Sequence, residues 1–318
     1  MDGPLPLIPP FFRIAGDMAR HGLDMQRPAA NAYQKTQGIM MQVTTLIENR
    51  PNKSDSRLVS EWGFSLHIMF NGQSILFDTG ASGAFAKNAT HLSVDVASVN
   101  AAVLSHHHVD HGGGLRQFLE LNTRAKVYLG ETPNGDCFAK LFGVLKKYVG
   151  LHKALLTDYA SRFKTITEPM QILPDVYILS VHPKPKGNKH IFLKRDGALA
   201  LDGFTHEIVM AIKEAGKLVV FTGCSHSAIL NMLDTVAKEF EGTPIKAVIG
   251  GFHLIGVPPF NFMADTKSEV ENLGRSILNY PIDETFTGHC TGTKAFRMLK
   301  AVMADRLTDI QTGSRFEV

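Results

Sequence analysis

Residues 105–114 are Ser105-His106-His107-His108-Val109-Asp110-His111-Gly112-Gly113-Gly114, a run in which four candidate metal ligands lie within six residues and a triple glycine follows. Side chains of an extended segment alternate in direction, so His106, His108 and Asp110 point to one side. His111 reaches the same centre only if the chain turns there, which the glycines make easy. The run therefore predicts a site for one or two divalent ions. Its nitrogen and oxygen ligands suit zinc, with iron or manganese as alternatives.

The sequence on either side of this run predicts a strand–loop–helix unit. Residues 100–104 are apolar enough for a buried strand, and Leu115–Leu121 has the pattern of a short helix. Ligands presented at the carboxyl end of a strand are a functional layout in α/β proteins. This context favours a metal site over a fortuitous tract of surface histidines.

The composition of the chain is that of an ordinary globular protein. Its 318 residues are 44% hydrophobic and 20% charged, and the interspersed charges give a net charge of only +3, so nothing indicates a nucleic-acid-binding surface. The three cysteines, Cys137, Cys224 and Cys290, are too few and too far apart for a disulfide framework, which favours a reducing, cytoplasmic setting. No apolar run is long enough to span a bilayer. We therefore expect a small-molecule substrate and no membrane partner.

A convincing strand pattern begins only after residue 40. We expect residues 1–40, which are proline-broken and make a poor signal peptide, to be an N-terminal extension outside the fold or a strap on its surface. Residues 41–318 would then form the folded domain. Within it, residues 131–200 are expected to be an insertion that acts as a lid, with a helix at residues 135–150 and a basic loop at residues 182–189.

Three further predicted strands each end in a tip that carries a histidine after a glycine. The tips are Gly223-Cys224-Ser225-His226, Gly250-Gly251-Phe252-His253 and Gly288-His289-Cys290. One histidine at a strand end is usually structural. Three such tips, added to residues 105–114, which we call the main run, predict a pocket formed by convergent polar side chains.

The main run, preceded by Phe77-Asp78-Thr79-Gly80, has the His-x-His-x-Asp-His pattern and resembles the metallo-β-lactamase superfamily of metallohydrolases. The resemblance implies an α/β fold of four layers, an αββα sandwich in which two mixed sheets pack face to face and the site lies along one edge. It also implies that Asp78 supports the metal loop by hydrogen bonding. The ligands that it implies are His106 and His108 for a first metal, and Asp110, His111 and His289 for a second.

The chain departs from the superfamily pattern at one tip of its second half. Members usually supply a bridging aspartate there in a Gly-Asp pair, whereas this chain has Cys224 and His226. Imidazole is the commonest metal ligand, so we prefer His226, with Cys224 either ligating zinc in its place or structural. His206, which comes earlier in the second half of the chain, is a further candidate for this ligand position. Without the bridging carboxylate, a single metal or a loosely coupled pair is an alternative to a tight dinuclear centre.

The set of tips, together with Glu61-Trp62-Gly63-Phe64-Ser65, resembles one branch of the superfamily over residues 42–313. Its members are related to the dihydropterin-methyl-ribofuranosylaminobenzene-phosphate synthase of methanopterin biosynthesis. Related phosphodiesterases and tRNA-processing nucleases place a leaving-group histidine where this chain has His253. The resemblance therefore implies a general acid or phosphate contact at His253, and a core histidine bonded to backbone is the alternative.

These residues predict metal-assisted hydrolysis. A bound metal lowers the pKa of water from ~15.7 to about 7, which gives hydroxide at neutral pH, and Asp110 would orient that hydroxide. Gly113 and Gly114 would let the backbone approach an anion at the start of the next helix. Thr291 and Lys294 would contact an anion at the start of the helix predicted after Gly292. We therefore expect a small phosphorylated or other anionic ester as substrate.

Other functions stay open at the level of sequence. A pterin-phosphate-type synthase or transferase on the same scaffold would need a second substrate, and an iron-dependent oxygenase would take up oxygen. A non-catalytic metal- or ligand-binding protein would bind tightly without turnover. Fold and metal site alone do not decide among these chemistries.

Overall fold

The structure, a computed structural model, describes residues 40–141, 145–182, 190–257 and 260–318. Within these ranges the strands are β1 (Gln42–Ile47), β2 (Ser65–Phe70), β3 (Gln73–Phe77), β4 (Ala101–Leu104), β5 (Lys126–Leu129), β6 (Asp136–Leu141), β7 (Leu145–Tyr148), β8 (Phe163–Thr165), β9 (Met170–Leu173), β10 (Val176–Ser180), β11 (Ile191–Arg195), β12 (Ala198–Leu201), β13 (Ile208–Glu214), β14 (Lys217–Phe221), β15 (Ile245–Gly250), β16 (Ile255–Val257), β17 (Phe260–Met263), β18 (Ile282–Thr287), β19 (Leu307–Asp309) and β20 (Arg315–Glu317). The helices are α1 (Ala84–His91), α2 (Val109–Gly112), α3 (Leu115–Leu121), α4 (Ala154–Asp158), α5 (Ile229–Glu239), α6 (Lys267–Leu278) and α7 (Thr293–Met303).

Two predictions fall largely outside the described residues. The extension predicted for residues 1–40 lies outside them except for Met40, and the predicted basic loop lies outside them except for His182. Within the described ranges, no helix combines the length and the hydropathy that crossing a bilayer requires.

Two seven-stranded sheets form the centre of the fold. Their strand orders are β20-β1-β2-β3-β4-β5-β8 and β19-β18-β15-β14-β13-β10-β9. In each sheet an antiparallel half is followed by a parallel half, so β3, β4 and β5 run parallel in one, and β14, β15 and β18 run parallel in the other. The two halves of the chain therefore repeat one arrangement.

The apolar residues of these strands face two different cores. In β3, Ile75 and Phe77 pack between the sheets, where Ile178 and Val219 of the second sheet also lie. Leu76, which points the opposite way, packs beneath helices of the first sheet. Strands covered on both faces need apolar side chains in both directions, which explains why β3 and β14 lack strict alternation.

Helices cover the outer face of each sheet. Phe85 of α1 and Phe118 of α3 pack on the first sheet. Val236 of α5, Val270 of α6 and Leu299 of α7 pack on the second. The expected four-layer αββα sandwich is thereby confirmed.

The segment at residues 135–150 is not a helix, and this prediction was wrong. It forms the antiparallel pair β6 and β7, in which Phe138 lies opposite Tyr148 with their ring centroids 5.6 Å apart. β6 also pairs with β11, which is distant in sequence. Pairing with a distant strand outweighs the local helical spacing of a short apolar pattern.

The expected insertion at residues 131–200 is also narrower than predicted. β6, β7, β11 and β12 do form a separate four-stranded sheet, but β8 joins the first main sheet and β9 and β10 join the second. Residues 163–180 are therefore part of the sandwich. The residue that follows β7 contacts the run of residues 105–114 directly, because Val109 N–H donates to the Val149 carbonyl at 2.8 Å.

Candidate metal centre

Asp78 lies at the end of β3 and orders the start of the main run. Its Oδ1 accepts the Ser105 backbone N–H at 2.7 Å, and its Oδ2 accepts the Ser105 hydroxyl and His111 Nδ1–H, both at 2.7 Å. All three side chains are buried. Asp78 therefore supports the main run by hydrogen bonding, as the resemblance implies. Because it bonds Nδ1 of His111, Nε2 of that ring is left facing the other candidate metal ligands.

The same network sets the tautomer of His106. Since the Ser105 hydroxyl donates to Asp78, it accepts from Nδ1–H of His106, which lies 2.9 Å away. Nε2 of His106 then carries a bare lone pair. That atom is buried and has no hydrogen-bond partner among the described residues, which is an expensive arrangement unless a cation binds there.

His289 is oriented by residues that follow β1. Asn49 Oδ1 accepts the Gly63 N–H at 3.1 Å, so His289 Nδ1, 2.9 Å from the same oxygen, must be its donor. Glu48 holds the backbone, because its Oε1 accepts the His289 N–H at 2.5 Å. Nε2 of His289 is thereby turned toward Nε2 of His111.

One group of ligand atoms surrounds these two nitrogens. The ligand atoms of Asp110, His111, Cys224 and His289 all lie within 4.8 Å of one another. His111 Nε2 lies 3.1 Å from Cys224 Sγ and 3.1 Å from His289 Nε2. Two imidazole lone pairs at this separation repel unless a proton or a metal ion lies between them. Asp110 Oδ2, 3.5 Å from His289 Nε2, is held by the indole N–H of Trp62 at 3.1 Å.

A second group lies beside the first. Ligand atoms of His106, Cys224 and His226 lie within 4.8 Å of one another. The His108 ring centroid is 4.6 Å from that of His106 and 4.9 Å from that of His226. Phe204 stacks on the His226 ring at 4.4 Å, and Glu207 accepts the His226 backbone N–H at 2.8 Å.

Cys224 is the member common to both groups. Its thiol therefore lies where the resemblance leads one to expect a bridging aspartate. The sequence left His226 and Cys224 as alternatives, whereas the structure brings both of them to the centre. His206 lies outside both groups and contacts Asp202 instead.

The electrostatics of the two groups differ. Burial lowers the pKa of His106, of His226 and of His108, the last to about 3, so these imidazoles stay neutral and can ligate. Burial also lowers the pKa of His111, but the carboxylates of Asp78 and Asp110 outweigh it and raise that pKa to about 9. Without an ion, His111 is therefore protonated at neutral pH, and the positive charge sits where a metal would bind.

The residues present therefore fit one or two divalent ions. Five imidazoles, one carboxylate and one thiol converge, and His106 Nε2 is buried without a hydrogen-bond partner in the described part of the chain. Imidazole and thiol ligands suit a borderline-soft divalent ion better than magnesium or calcium.

His253 lies beside His226, at the edge of this cluster of ligands. Its ring centroid is 4.1 Å from that of His226, and its backbone N–H donates to Cys290 Sγ at 3.3 Å. Burial lowers the pKa of His253, but Cys290 outweighs it and raises that pKa. His253, His226 and Ser225 line a cavity of about 510 Å³.

Three of the four residues predicted to contact an anion have their polar groups paired with the chain itself. The N–H groups of Gly113 and Gly114 donate to the Gly80 carbonyl, at 2.9 and 3.4 Å. The Thr291 hydroxyl is buried and bonded to Phe252 N–H and Thr287. Lys294 is exposed, with Nζ 5.9 Å from the Phe262 ring centroid. The first three serve packing because their polar groups are already paired with the chain itself.

Gly113 tests this packing role. A Cβ added there would lie 2.1 Å from the Ala81 carbonyl oxygen, so we expect Gly113→Ala to destabilise the protein by about 3 kcal/mol through overpacking. Gly83→Ala is the control, since its Cβ would meet nothing closer than 3.5 Å. Urea unfolding measures both variants. Equal stability of the two would show that Gly113 is not needed for close packing.

Several residues of the centre were not predicted from the sequence. Glu48 and Asn49 follow β1 directly, so the rule applied to the histidine tips, polar residues at a strand's carboxyl end, would have found them. Trp62 was noted only as part of a resemblance. Glu207 and Asp202 left no local signal, because each acts on a partner distant in sequence.

Comparisons with known proteins agree with this geometry. A profile of the Metallo-beta-lactamase superfamily matches residues 68–289. The 7,8-dihydropterin-6-methyl-4-(beta-D-ribofuranosyl)-aminobenzene-5'-phosphate synthase of Methanocaldococcus jannaschii is 28% identical over 266 residues, covering 79% of this chain and 87% of that protein. An uncharacterized protein of the same organism is 27% identical over 269 residues, covering 81% and 93%.

A solved structure is similar over nearly its whole length. It is Tm1679, described as a metal-dependent hydrolase of the beta-lactamase superfamily, with a TM-score of 0.71 and 27% identity, covering 87% of this chain and 99% of that one. The profile alone spans more than half of the sequence. The chain therefore belongs to the metallo-beta-lactamase superfamily.

Proposed function

We propose that this protein is a zinc-dependent hydrolase that acts on a small phosphorylated or other anionic ester. The observation that supports this most directly is the pair of ligand groups that share Cys224. Bound ions would supply Lewis acidity, which makes water nucleophilic at neutral pH and polarises the substrate's carbonyl or phosphoryl oxygen. His106, His108 and His226 would hold one ion, Asp110, His111 and His289 the other, and Cys224 would contact both.

Asp110 has a second task in this proposal. Its carboxylate is fixed by the Trp62 indole, so the side chain has little freedom. One oxygen accepts that hydrogen bond, and the remaining acceptor capacity is available to orient a water molecule. His289 and His111 keep the carboxylate ionised, since both lower the pKa of Asp110 against the effect of burial.

His253 would donate a proton to the leaving group. It lines the cavity of about 510 Å³ next to His226, and its raised pKa favours the protonated form that a general acid needs. The imidazole belongs to neither the Asp110 group nor the His106 group; it lies with Cys224 and Cys290 in a further group of potential ligands, which this proposal leaves without an ion.

Asp265 and Glu269 line one part of this cavity, and the start of α5 forms the part that suits a negative charge. α5 begins at its wall, and the cap residue Ala228 offers no side-chain acceptor to the first backbone N–H groups. The positive end of an uncapped helix favours an anion. This feature replaces the glycine and threonine contacts that the sequence suggested.

A synthase or transferase is the second candidate, and a second cavity favours it. This cavity, of about 150 Å³, lies beside His289 and is walled by Trp62 and Phe296. Ile255 lines both cavities. Two compartments at one metal centre would accommodate two reactants, and the relative from M. jannaschii is named as a synthase.

Turnover of zinc-loaded protein on a panel of phosphodiesters, phosphomonoesters, lactones and thioesters tests the proposal. Product formed with water alone supports the hydrolase, and product formed only with a second nucleophile present contradicts it. We expect His253→Gln to lower kcat about 10²–10⁴-fold for poor leaving groups and much less for p-nitrophenolate. His152→Gln, an exposed histidine outside the centre, is the control and should match the wild type.

A further inference from the structure

The loop at residues 202–206, between β12 and β13, buries three side chains, two of which are polar. Asp202, Phe204 and His206 are each at most 3% exposed. We call residues 202–206 the clasp loop. It joins the two halves of the chain, since Phe204 stacks on His226 of the second half and His206 contacts the main run of the first.

The clasp loop contributes to another cluster of potential ligands. Atoms of His108, Cys137, Asp202 and His206 lie within 4.8 Å of one another, and all four residues are buried. By composition alone, this is a zinc site with two imidazoles, a thiol and a carboxylate.

The hydrogen bonds of His206 argue against an ion at this cluster. The His107 backbone N–H donates to His206 Nδ1 at 3.2 Å, so the proton of the neutral ring is on Nε2. Nε2–H in turn donates to Asp202 Oδ2 at 3.2 Å. Both nitrogens are therefore used, and neither offers a lone pair to a metal.

Asp202 is the member of the cluster with acceptor capacity left. Its Oδ1 accepts the Phe204 N–H at 2.8 Å, and its Oδ2 accepts from His206. Each carboxylate oxygen has a second acceptor position. The carboxylate is thus fixed in place by the clasp loop, with His108 within 4.8 Å.

His108 needs such an acceptor. A neutral imidazole that ligates through one nitrogen carries its proton on the other, and metal-ligating histidines usually donate that proton to a carboxylate or carbonyl. His108 Nε2 is buried without a hydrogen-bond partner among the described residues, so it is the ring nitrogen that needs an acceptor for its proton. Asp110, the other carboxylate near His108, belongs to a ligand group and is bonded to Trp62.

We infer that Asp202, held by His206, is a positioning residue that orients the metal ligand His108 by accepting a hydrogen bond from its non-ligating nitrogen. This rests on the metal centre of the proposed function and goes beyond it. The clasp loop then controls the second ligand group, that of His106 and His226, from both sides, through Asp202 at His108 and through Phe204 at His226.

Asp202→Asn removes the charge and keeps the shape. Zinc titration against a competing chelator should show the Kd of one ion rising about 10–100-fold, with the number of ions per chain unchanged. Cys137→Ser, a buried member of the same cluster, should bind zinc as the wild type does. In cobalt-substituted protein, the exchangeable ring proton of His108 should give a shifted NMR signal that Asp202→Asn loses and Cys137→Ser keeps. If Asp202→Asn does not fold, His206→Gln should raise the same Kd.

Wild-type affinity and an unchanged His108 signal in the Asp202 variant would overturn this inference while leaving the proposed function intact. Loss of one ion per chain in Cys137→Ser would also overturn it, since the cluster would then be a third metal site. A wild-type protein that binds no zinc would refute the proposed function itself, and the inference with it.

Discussion

Cys224→Ala is expected to weaken the binding of both ions by about 100-fold each, because a four-ligand zinc site is worth about 10–16 kcal/mol and one ligand therefore roughly 3 kcal/mol. Cys224 is the donor that both ligand groups contain. Removing any of the histidines would weaken one ion most, whereas this change weakens two. Ion counts by mass spectrometry and a competitive titration measure the effect, and hydrolysis should be lost in parallel.

Cys224→Asp tests whether the centre needs a thiol at this position or only a donor atom there. A carboxylate there should keep both ions, while the thiolate charge-transfer band of the cobalt-substituted protein should vanish. Cys137→Ser, which removes a buried thiol outside both groups, should keep the band. If Cys224→Ala retained two ions at wild-type affinity with the band intact, Cys224 would not be a ligand.

Asp78→Ala is expected to destabilise the metal-free protein by about 3–5 kcal/mol at pH 7, because it leaves the buried charge of His111 without its partner. Asp78 and Asp110 raise the pKa of His111 from the usual 6.5 to about 9, against the effect of burial. A raised histidine pKa stabilises the fold fully below about pH 6.5, and this stabilisation is lost as the pH rises through about 9.

Chemical denaturation of metal-free protein from pH 6 to 10 measures this effect. The wild type should lose stability between about pH 6.5 and 9, and Asp78→Ala should lose much less over that range. Asp283→Ala is the control, since its salt bridge with Lys217 is exposed and worth about 0–1 kcal/mol. A variant as stable as the wild type at pH 7, with the same pH profile, would contradict a charged Asp78–His111 pair.

Much of the fold was predictable because its signals are local. α3 begins and ends at the predicted residues, and β4 lies within the strand predicted at residues 100–104, since an apolar strand and a short amphipathic helix depend on neighbouring residues. The main run was equally informative. Its spacing already placed His106, His108 and Asp110 on one side of the chain, and all three reach the centre.

What was missed depends on contacts between distant residues. The β6–β7 pair is stabilised by β11, and no spacing within residues 135–150 reports that partner. Gly113 was predicted to approach an anion, but it approaches the Ala81 backbone. One local signal was overlooked. Thr266 and Glu269 form a capping box at the start of α6, the pattern that marks a helix start.

The direct test of the account is an anomalous difference map at the zinc edge, from crystals grown with zinc in excess. We expect two peaks, one on each side of Cys224 Sγ, the first bounded by His106, His108 and His226 and the second by Asp110, His111 and His289. A map with no peak between these side chains, or with peaks only elsewhere, would contradict it.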